Sequence, residues 1–278
     1  MAHPEARPRR LIVNADDMGR SSSINQAILQ AHLDGILTSA SLMVNEPACD
    51  EAVAIARSTP TLGVGLHLTL ACGRSALPMS RIPGLVDRDN QFSTSPVLAG
   101  LRYFFLPRLR SQLEAEITAQ FDRFHQTGLP LDHVNGHLNI HQHPVVLGLV
   151  LRHATILNVR HVRLTRDPFW LNARLAPGHW LYRMSHGLIY HALSAWARPG
   201  LKRMNIHHTD HVFGLLQNSR VDREFLHRLL AELPEGDSEL YSHPSLHDFR
   251  HELDALVDPD VKSLVQRLQI RLSRYQDL

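Results

Sequence analysis

The chain has 278 residues and a formal net charge of +2 at pH 7, with 44% hydrophobic and 20% charged residues. A chain of this length can bury one large core, and this composition excludes a globally disordered protein. The small net charge argues against a nucleic-acid-binding protein, whose surface would be strongly basic.

Strand-like and helix-like segments alternate along the first half of the chain. RLIVNA (10–15), LTSASLMV (37–44) and LGVGLHLTL (62–70) have the apolar pattern of buried strands. A helix is predicted over about 24–33, with one of the serines at 21–23 as its N-cap and Gly35 at its end. Another is predicted over 49–58, with Asp50 as its cap. A stretch rich in proline and glycine over about 73–96 predicts a loop, and 107–128 predicts an amphipathic helix.

The second half continues the alternation. DHVNGHLNIHQHP (132–144) lies at a strand end, a helix follows over 145–157, and VRHVRL (159–164) predicts a short strand. HVFGLL (211–216), a helix over about 221–233 and SELYSHPS (238–245) resume the pattern, and a surface helix is predicted over about 253–278. We therefore expect one α/β domain with parallel strands, either an open sheet or a closed barrel. In both folds the active site lies at the C-terminal ends of the strands.

The segment over about 168–209 interrupts this pattern and predicts a helical insertion. It contains all three tryptophans and five arginines or lysines, and it contains no acidic residue. Two interpretations stay open. The segment is either an ordinary packing helix or a lid that faces lipid, since Trp and Arg on one amphipathic segment suit anionic membrane surfaces.

Acidic and imidazole side chains follow four of the predicted strands. The first strand ends in Asp16 and Asp17, and histidines lie at the ends of three others. The candidate histidines are His67, His137, His141 and His243. One carboxylate and two imidazoles that converge at the C-terminal edge would make a three-ligand site with room for water, as a catalytic divalent ion requires.

Five stretches carry a resemblance to a known family. They are LIVNADDMG, TSASLMVN, GVGLHLTL, LDHVNGHLNIHQHP and ELYSHPS, and they resemble the successive motifs of the YdjC-like carbohydrate deacetylases. The stretches RYFFLPR and TGLPLDHVNGH are most similar to the hopanoid-biosynthesis branch, HpnK. The resemblance runs over about 9–250. It implies an irregular (β/α) barrel that removes an acetyl group from an N-acetylated sugar with the help of a metal ion.

The resemblance also implies roles for individual residues. Asp17, His67 and His137 would bind the metal ion, Asp16 would be the general base, and His243 would protonate the leaving amine. The spacing of the two aspartates alone would permit either to take either role. Within the HpnK branch, the substrate would be an N-acetylglucosaminyl hopanoid.

Substrate contacts are expected at Asn45, Arg20 and His141. Where many members of the family have H-x-H-x-H, this chain has Asn139 in place of the middle histidine. A ligand role is therefore lost or weakened there, which leaves His137 as the third ligand and His141 as a substrate contact or a substitute ligand. Met18 replaces the phenylalanine that usually follows the acid pair, which is a tolerable apolar exchange.

We expect one divalent metal ion, zinc or magnesium, and two imidazoles with a carboxylate favour zinc or another late transition metal. The expected partner is an acetylated amino sugar, carried on a lipid in the HpnK branch, and not a nucleic acid. The protein could also contact a membrane peripherally and form a homodimer. The N-terminal stretch MAHPEARPRR lacks the apolar core of a signal peptide, so we expect a cytoplasmic protein. Where it contacts a membrane peripherally, we expect it at the inner membrane face.

Three alternative functions stay open. The substrate could be a chito-oligosaccharide instead of a lipid-linked sugar. A metal-dependent phosphoesterase could use the same ligand types, but it would recruit Arg or Lys beside the acids, and only Arg20 is available in that stretch. A non-catalytic lipid-binding protein is the third alternative.

Overall fold

The computed structural model describes residues 7–176, 178–217 and 219–278. Within these ranges the strands form one seven-stranded parallel sheet in the order β4-β3-β2-β1-β6-β5, with β7 paired to β1. The strands are β1 (Arg9–Met18), β2 (Ser39–Leu42), β3 (Gly63–Leu68), β4 (Val134–Gly136), β5 (His211–Phe213), β6 (Gly236–Ser242) and β7 (Arg271–Leu272). The core lies between this sheet and the helices that flank it.

The sheet is curled, and backbone hydrogen bonds through residues 160–166 connect its two edge strands. The Arg163 amide donates to the Val134 carbonyl of β4 at 3.0 Å, and the Val212 amide of β5 donates to the Arg166 carbonyl at 3.4 Å. The strand predicted for VRHVRL is reduced to two isolated bridges, Val162 with Val134 of β4 and His161 with His207. The predicted α/β class with parallel strands is confirmed, as a curled half-barrel with flanking helices.

Ten α-helices flank the sheet in the described residues. They are α1 (Ser22–Asp34), α2 (Cys49–Ser58), α3 (Pro96–Phe105), α4 (Arg110–Gln126), α5 (Pro144–His153), α6 (Phe169–Leu175), α7 (Trp180–Arg203), α8 (Arg223–Ala231), α9 (Arg250–Leu256) and α10 (Pro259–Arg267). None of these helices has the length and apolar character needed to cross a bilayer.

The helix starts differ in how their backbone amides are satisfied. The Ser21 hydroxyl accepts a hydrogen bond from the Ile24 amide at 3.3 Å, so one of the three predicted serines caps α1. The expected cap of α2 at Asp50 is wrong, because the N-cap position is Ala48 and no side chain caps this helix. Asp50 lies in the first turn, where its charge still favours the positive end of the helix dipole.

The C-terminal segment differs from the single surface helix predicted over 253–278. There α9 ends at Leu256, and Pro259 begins α10, because the Asp258 side chain caps a new helix start. The chain then returns to the sheet, where Leu272 pairs with Leu11 of β1. Tyr275 beyond it is fully buried, stacks on His133 at 4.3 Å between ring centroids, and donates its hydroxyl to Glu239.

Replacing Tyr275 by Ala should lower the free energy of unfolding by about 3–5 kcal/mol, because it leaves a cavity and removes a donor from a buried carboxylate. Urea denaturation measures this loss. Gln276→Ala is the matched control, because its side chain is exposed and its backbone hydrogen bond to Asp132 is kept. A loss for Tyr275→Ala no larger than that of the control would contradict the buried position of the tail.

Candidate active site

The two adjacent aspartates lie at the end of β1, where the strand becomes irregular. Asp17 has a φ of 64°, and the pairing of β1 with β2 shifts register between Ala15 and Met18. In a regular strand the two side chains would point to opposite faces, and the left-handed residue breaks this alternation. Gly19 follows with a φ of 92°, and a Cβ there would lie 3.0 Å from the Met43 carbonyl oxygen, so the turn requires glycine.

Asp17, His67 and His137 come together at the C-terminal edge of the sheet. Asp17 Oδ1 lies 2.9 Å from His137 Nδ1 and 3.2 Å from His67 Nε2. His67 is the next-to-last residue of β3 and His137 directly follows β4, which is how these strands bring their side chains to Asp17. The candidate ligand atoms all lie within 4.8 Å of one another, so the structure places the three predicted ligands in one buried group.

The hydrogen bonds around His67 fit a cation in this group. His67 Nδ1 lies 2.7 Å from Asn135 Oδ1, and the Asn135 amide nitrogen donates to Asp16 Oδ1 at 3.2 Å. Because a carboxylate only accepts, this contact fixes the orientation of the amide. Because an amide oxygen only accepts, His67 Nδ1 carries the proton, and Nε2 presents a lone pair. Nε2 is buried without a hydrogen-bond partner and faces the carboxylate of Asp17. Two electron-pair donors that face each other in a buried position fit a metal ion between them.

Arg20 contacts the second carboxylate oxygen of the group. Its Nη1 lies 3.0 Å from Asp17 Oδ2, and its side chain is 46% exposed. Burial would raise the pKa of Asp17, but its contact with His137 outweighs burial and holds this pKa well below its ordinary value. The structure therefore places Arg20, expected as a substrate contact, beside a candidate metal ligand and outside the residues that line the cavity described below.

Asp16 is held by a buried arginine. Arg163 Nη1 donates to Asp16 Oδ2 at 2.7 Å and Nη2 donates to Oδ1 at 2.8 Å, while the amides of Asn14 and Asn135 also donate to Oδ1. Burial raises the pKa of Asp16, but the guanidinium and the nearby imidazoles lower it further, so the net pKa lies far below the ordinary value. Asp16 is therefore a fixed carboxylate.

Arg163 is the functional residue that sequence reasoning missed. It is fully buried, its Nε donates to Glu239 Oε1 at 2.7 Å, and its guanidinium lies 4.3 Å from the centroid of the Tyr241 ring. One feature of the sequence could have indicated it. An arginine between Val162 and Leu164 in a predicted buried strand requires an acidic partner inside the protein.

A cavity of about 620 Å³ opens above this group. Its polar part contains Asp16, His67, His137 and His243. Nδ1 of His243 has no hydrogen-bond partner, and the nearest carboxylate oxygen, Glu252 Oε2, lies 4.0 Å away. The walls are largely apolar and aromatic and come from α3, the segment after β4, and α7; they include Val97, Leu101, Phe104, Phe105, Leu138, Ile140, Tyr182, Tyr190 and Leu193.

The other two expected substrate contacts, like Arg20, lie outside this cavity. His141 is 1% exposed, and its Nε2 lies 2.9 Å from the Arg163 carbonyl oxygen, so it supports the irregular segment and does not belong to the candidate metal group. Asn45 donates to the Arg74 carbonyl at 3.1 Å and accepts from Arg123 at 3.2 Å. Asn139, which replaces a histidine of the family, lines the cavity and accepts from the Thr165 hydroxyl at 2.8 Å.

The fold and the site define a class of parallel α/β proteins with an Asp-His-His group at the C-terminal ends of the strands. This group has the residue types and spacing to bind a metal ion. A family model described as YdjC-like protein matches residues 10–267. The chain therefore belongs to the YdjC-like protein family.

Several relatives are described as carbohydrate deacetylases. The protein from Geobacillus stearothermophilus is 40% identical over 162 residues, which cover 57% of this chain and 62% of that protein. The protein from Brevibacillus brevis is 40% identical over 144 residues, 51% of this chain and 54% of that protein. The match thus spans less than two thirds of the length of both relatives. The protein from Thermoanaerobacter pseudethanolicus is 26% identical over 282 residues, 96% of this chain and 98% of that protein.

A solved structure supports the fold over the whole chain. It is the crystal structure of a protein from Enterococcus faecalis V583, described as a candidate cellobiose-phosphate cleavage protein. The TM-score is 0.73 at 24% sequence identity, and the match covers 97% of this chain and 98% of that one. This likeness concerns the architecture alone.

The buried ring of His141 should make stability depend on pH. Burial lowers its pKa from 6.5 to about 3, so in that range the unfolded chain binds a proton that the folded chain does not. Stability from this group is present above pH 6.5 and is lost as the pH falls toward 3. As the pH is lowered from 6.5 to 3, the free energy of unfolding should therefore fall more steeply for the wild type than for His141→Gln. The two slopes should differ by up to about 1.4 kcal/mol per pH unit.

Urea denaturation at a series of pH values measures both slopes. Glutamine keeps an N–H donor for the Arg163 carbonyl and cannot take up a proton. His125→Gln, on the exposed side of α4, is the control and should keep the slope of the wild type. Equal slopes for the wild type and His141→Gln would contradict a neutral buried ring.

Proposed function

We propose that this protein is a metal-dependent hydrolase that removes the acetyl group from an N-acetylglucosaminyl substrate. One observation carries the proposal: Asp17, His67 and His137 form a buried group in which His67 Nε2 has no hydrogen-bond partner, next to a fixed carboxylate in a cavity. Membership of the YdjC-like family and the similarity to carbohydrate deacetylases support the same chemistry.

Asp17, His67 and His137 would hold the ion, and zinc fits one carboxylate and two imidazoles better than magnesium does. A divalent ion bound there would polarise the amide carbonyl and lower the pKa of the attacking water. The ligand atoms themselves are preorganised, because Asn135 fixes the ring of His67 and Arg20 holds the second oxygen of Asp17.

Asp16 would accept the proton of the attacking water. It lines the cavity beside the candidate ligands, and Arg163 keeps it ionised and oriented. Its low pKa makes it a weak base, so its contribution depends on an acidified water and a fixed position more than on basicity. His243 lines the same cavity and would deliver a proton to the leaving nitrogen.

The acceptor that we propose is a hopanoid lipid, as in the HpnK branch. The support is the similarity of RYFFLPR and TGLPLDHVNGH to that branch together with the apolar walls of the cavity. The wall formed by α3 would offer a chito-oligosaccharide no hydrogen-bonding side chain, since its lining residues are Pro96, Val97, Gly100, Leu101, Phe104 and Phe105. A lipid-linked substrate would bring the protein to a membrane surface. The cytoplasmic location and a homodimer stay predictions of the sequence.

A phosphoesterase is less consistent with the site. Neither Lys nor Arg lines the cavity in the described residues, and the two arginines beside the acids, Arg20 and Arg163, are already paired with carboxylates. A phosphoryl group would require unpaired cations that point into the cavity.

Asp16→Asn and His243→Ala should each lower the release of acetate from an N-acetylglucosaminyl substrate by about a hundredfold or more, because each removes one proton-transfer group. Acetate is measured with the metal-loaded protein. Matched controls are Asp248→Asn and His247→Ala, which change exposed side chains outside the cavity and should keep full activity. Near-normal turnover of Asp16→Asn would contradict its role as the base.

Asp17→Asn, His67→Gln and His137→Gln should each abolish or strongly reduce metal binding. The content of zinc and magnesium per chain is measured by mass spectrometry after dialysis against a buffer that contains trace amounts of both metals. His141→Gln is the matched control, because His141 lies outside the candidate group and should leave the metal content unchanged. Unchanged metal content in the Asp17, His67 and His137 variants would show that this group is not the metal site.

A further inference from the structure

The outer side of α7 is apolar and exposed. Its exposed apolar side chains are separated by one, three, four or seven residues, which places them along one broad face of the helix, about half its circumference. They are Trp180 (50% exposed), Leu181 (86%), Met184 (57%), Leu188 (73%), Ile189 (52%) and Trp196 (53%). Another side of the same helix, with Tyr182, His186 and Tyr190, lines the cavity. The exposed face is therefore not a part of the core.

The second apolar helix at the cavity is α3, which sequence reasoning did not predict. Phe105 is 67% exposed and Val97 is 72% exposed, and both line the cavity. Leu98, Leu101 and Phe104 are each about half exposed on the same short helix. Together, the exposed apolar residues of α3 and α7 are more numerous and more clustered than the single apolar side chains found on an ordinary protein surface.

The segments that contain α3 and α7 carry basic residues and no acidic residues. Residues 96–110 contain three arginines, and residues 168–209 contain five arginines or lysines, with no Asp or Glu in either segment. Lys202 and Arg203 at the end of α7, and Arg108 and Arg110 after α3, are exposed. Basic residues beside an apolar face with tryptophan are typical of a surface that binds anionic lipid.

We propose that the exposed faces of α3 and α7 form a docking surface for an anionic lipid bilayer. The apolar side chains would enter the boundary between headgroups and acyl chains, and the basic residues would contact the headgroups. The cavity between these helices would then open toward the membrane, so that a lipid-linked sugar reaches Asp16 and the candidate metal group without leaving the bilayer. This last step rests on the proposed function, whereas the docking surface itself does not.

A second copy of the chain is the alternative occupant of this surface. A dimer that covers α3 and α7 would bring basic segments of the same sign together, since neither segment contains an acid to pair with them. It would also cover the walls of the cavity. The charge therefore favours an anionic surface over a second copy.

The test uses the full chain and vesicles of phosphatidylcholine with or without phosphatidylglycerol. Co-sedimentation should show binding to the anionic vesicles, and tryptophan fluorescence should shift to shorter wavelength. The double variant Leu98→Glu with Leu188→Glu changes exposed residues that do not line the cavity and should lower the partition coefficient at least tenfold. Leu33→Glu, at 63% exposure on α1, is the matched control and should bind as the wild type does.

A double variant of Lys202→Ser and Arg203→Ser tests the charge separately, and each substitution should weaken binding to anionic vesicles by about fivefold. The absence of vesicle binding by the wild type would overturn the proposal. So would light scattering that shows a dimer in the wild type and a monomer in Leu98→Glu with Leu188→Glu, because the surface would then be an interface between copies.

Acetate release from a water-soluble N-acetylglucosamine oligomer, measured without vesicles, separates this inference from the proposed function. If the protein hydrolyses the soluble oligomer but does not bind vesicles, the proposed docking surface alone is overturned. A protein that binds vesicles and releases no acetate from either a soluble or a lipid-linked substrate keeps the docking surface and overturns the deacetylase.

Discussion

The guanidinium of Arg163 lies between two buried carboxylates, and the arrangement of the site depends on it. Two of its nitrogens hold Asp16 and the third donates to Glu239, with side-chain exposures of 0% for Arg163, 5% for Asp16 and 0% for Glu239. Removing Arg163 would leave two uncompensated buried carboxylates, and the loss of one partner from a buried ion pair costs about 3–5 kcal/mol. Because the three residues belong to β1, β6 and the segment 160–166, this group connects the irregular side of the half-barrel to its centre.

The candidate ligands and the candidate base are not independent, because one amide contacts both. The oxygen of Asn135 accepts a hydrogen bond from His67 Nδ1, and its nitrogen donates to Asp16 Oδ1 at 3.2 Å and to Ser41. The amide therefore sets which nitrogen of His67 is free for a metal ion and also helps to fix Asp16. Substituting Asn135 would therefore disturb the orientation of His67 and of Asp16 together.

The sequence could predict this site only where regular strands position the residues. Asp17, His67 and His137 lie at or directly after the C-terminal ends of the parallel strands β1, β3 and β4, so the strand pattern predicts that they meet at one edge of the sheet. The choice of Asp17 over Asp16 as the ligand rested on the family resemblance. Arg163 and His141 lie in irregular segments, where no periodicity fixes the direction of a side chain. Their contacts depend on distant backbone, as the bond of His141 to the Arg163 carbonyl shows. The short strand β7 was missed for the same reason, since two residues make no pattern.

The apolar walls and the charged end of the cavity depend on each other. Interactions between Asp16, Arg163 and the candidate ligands are strong only where water is excluded, because the Coulomb energy of a charge pair falls as the local dielectric constant rises. Core residues cannot supply this exclusion, since a substrate must enter. Side chains of α3 and α7 line the cavity and would exclude water from it. These side chains contribute little to the stability of the fold, because residues such as Phe105 and Val97 stay largely exposed. An open apolar wall excludes water fully only when something apolar covers it, and a substrate with an apolar tail at a lipid surface would provide that cover.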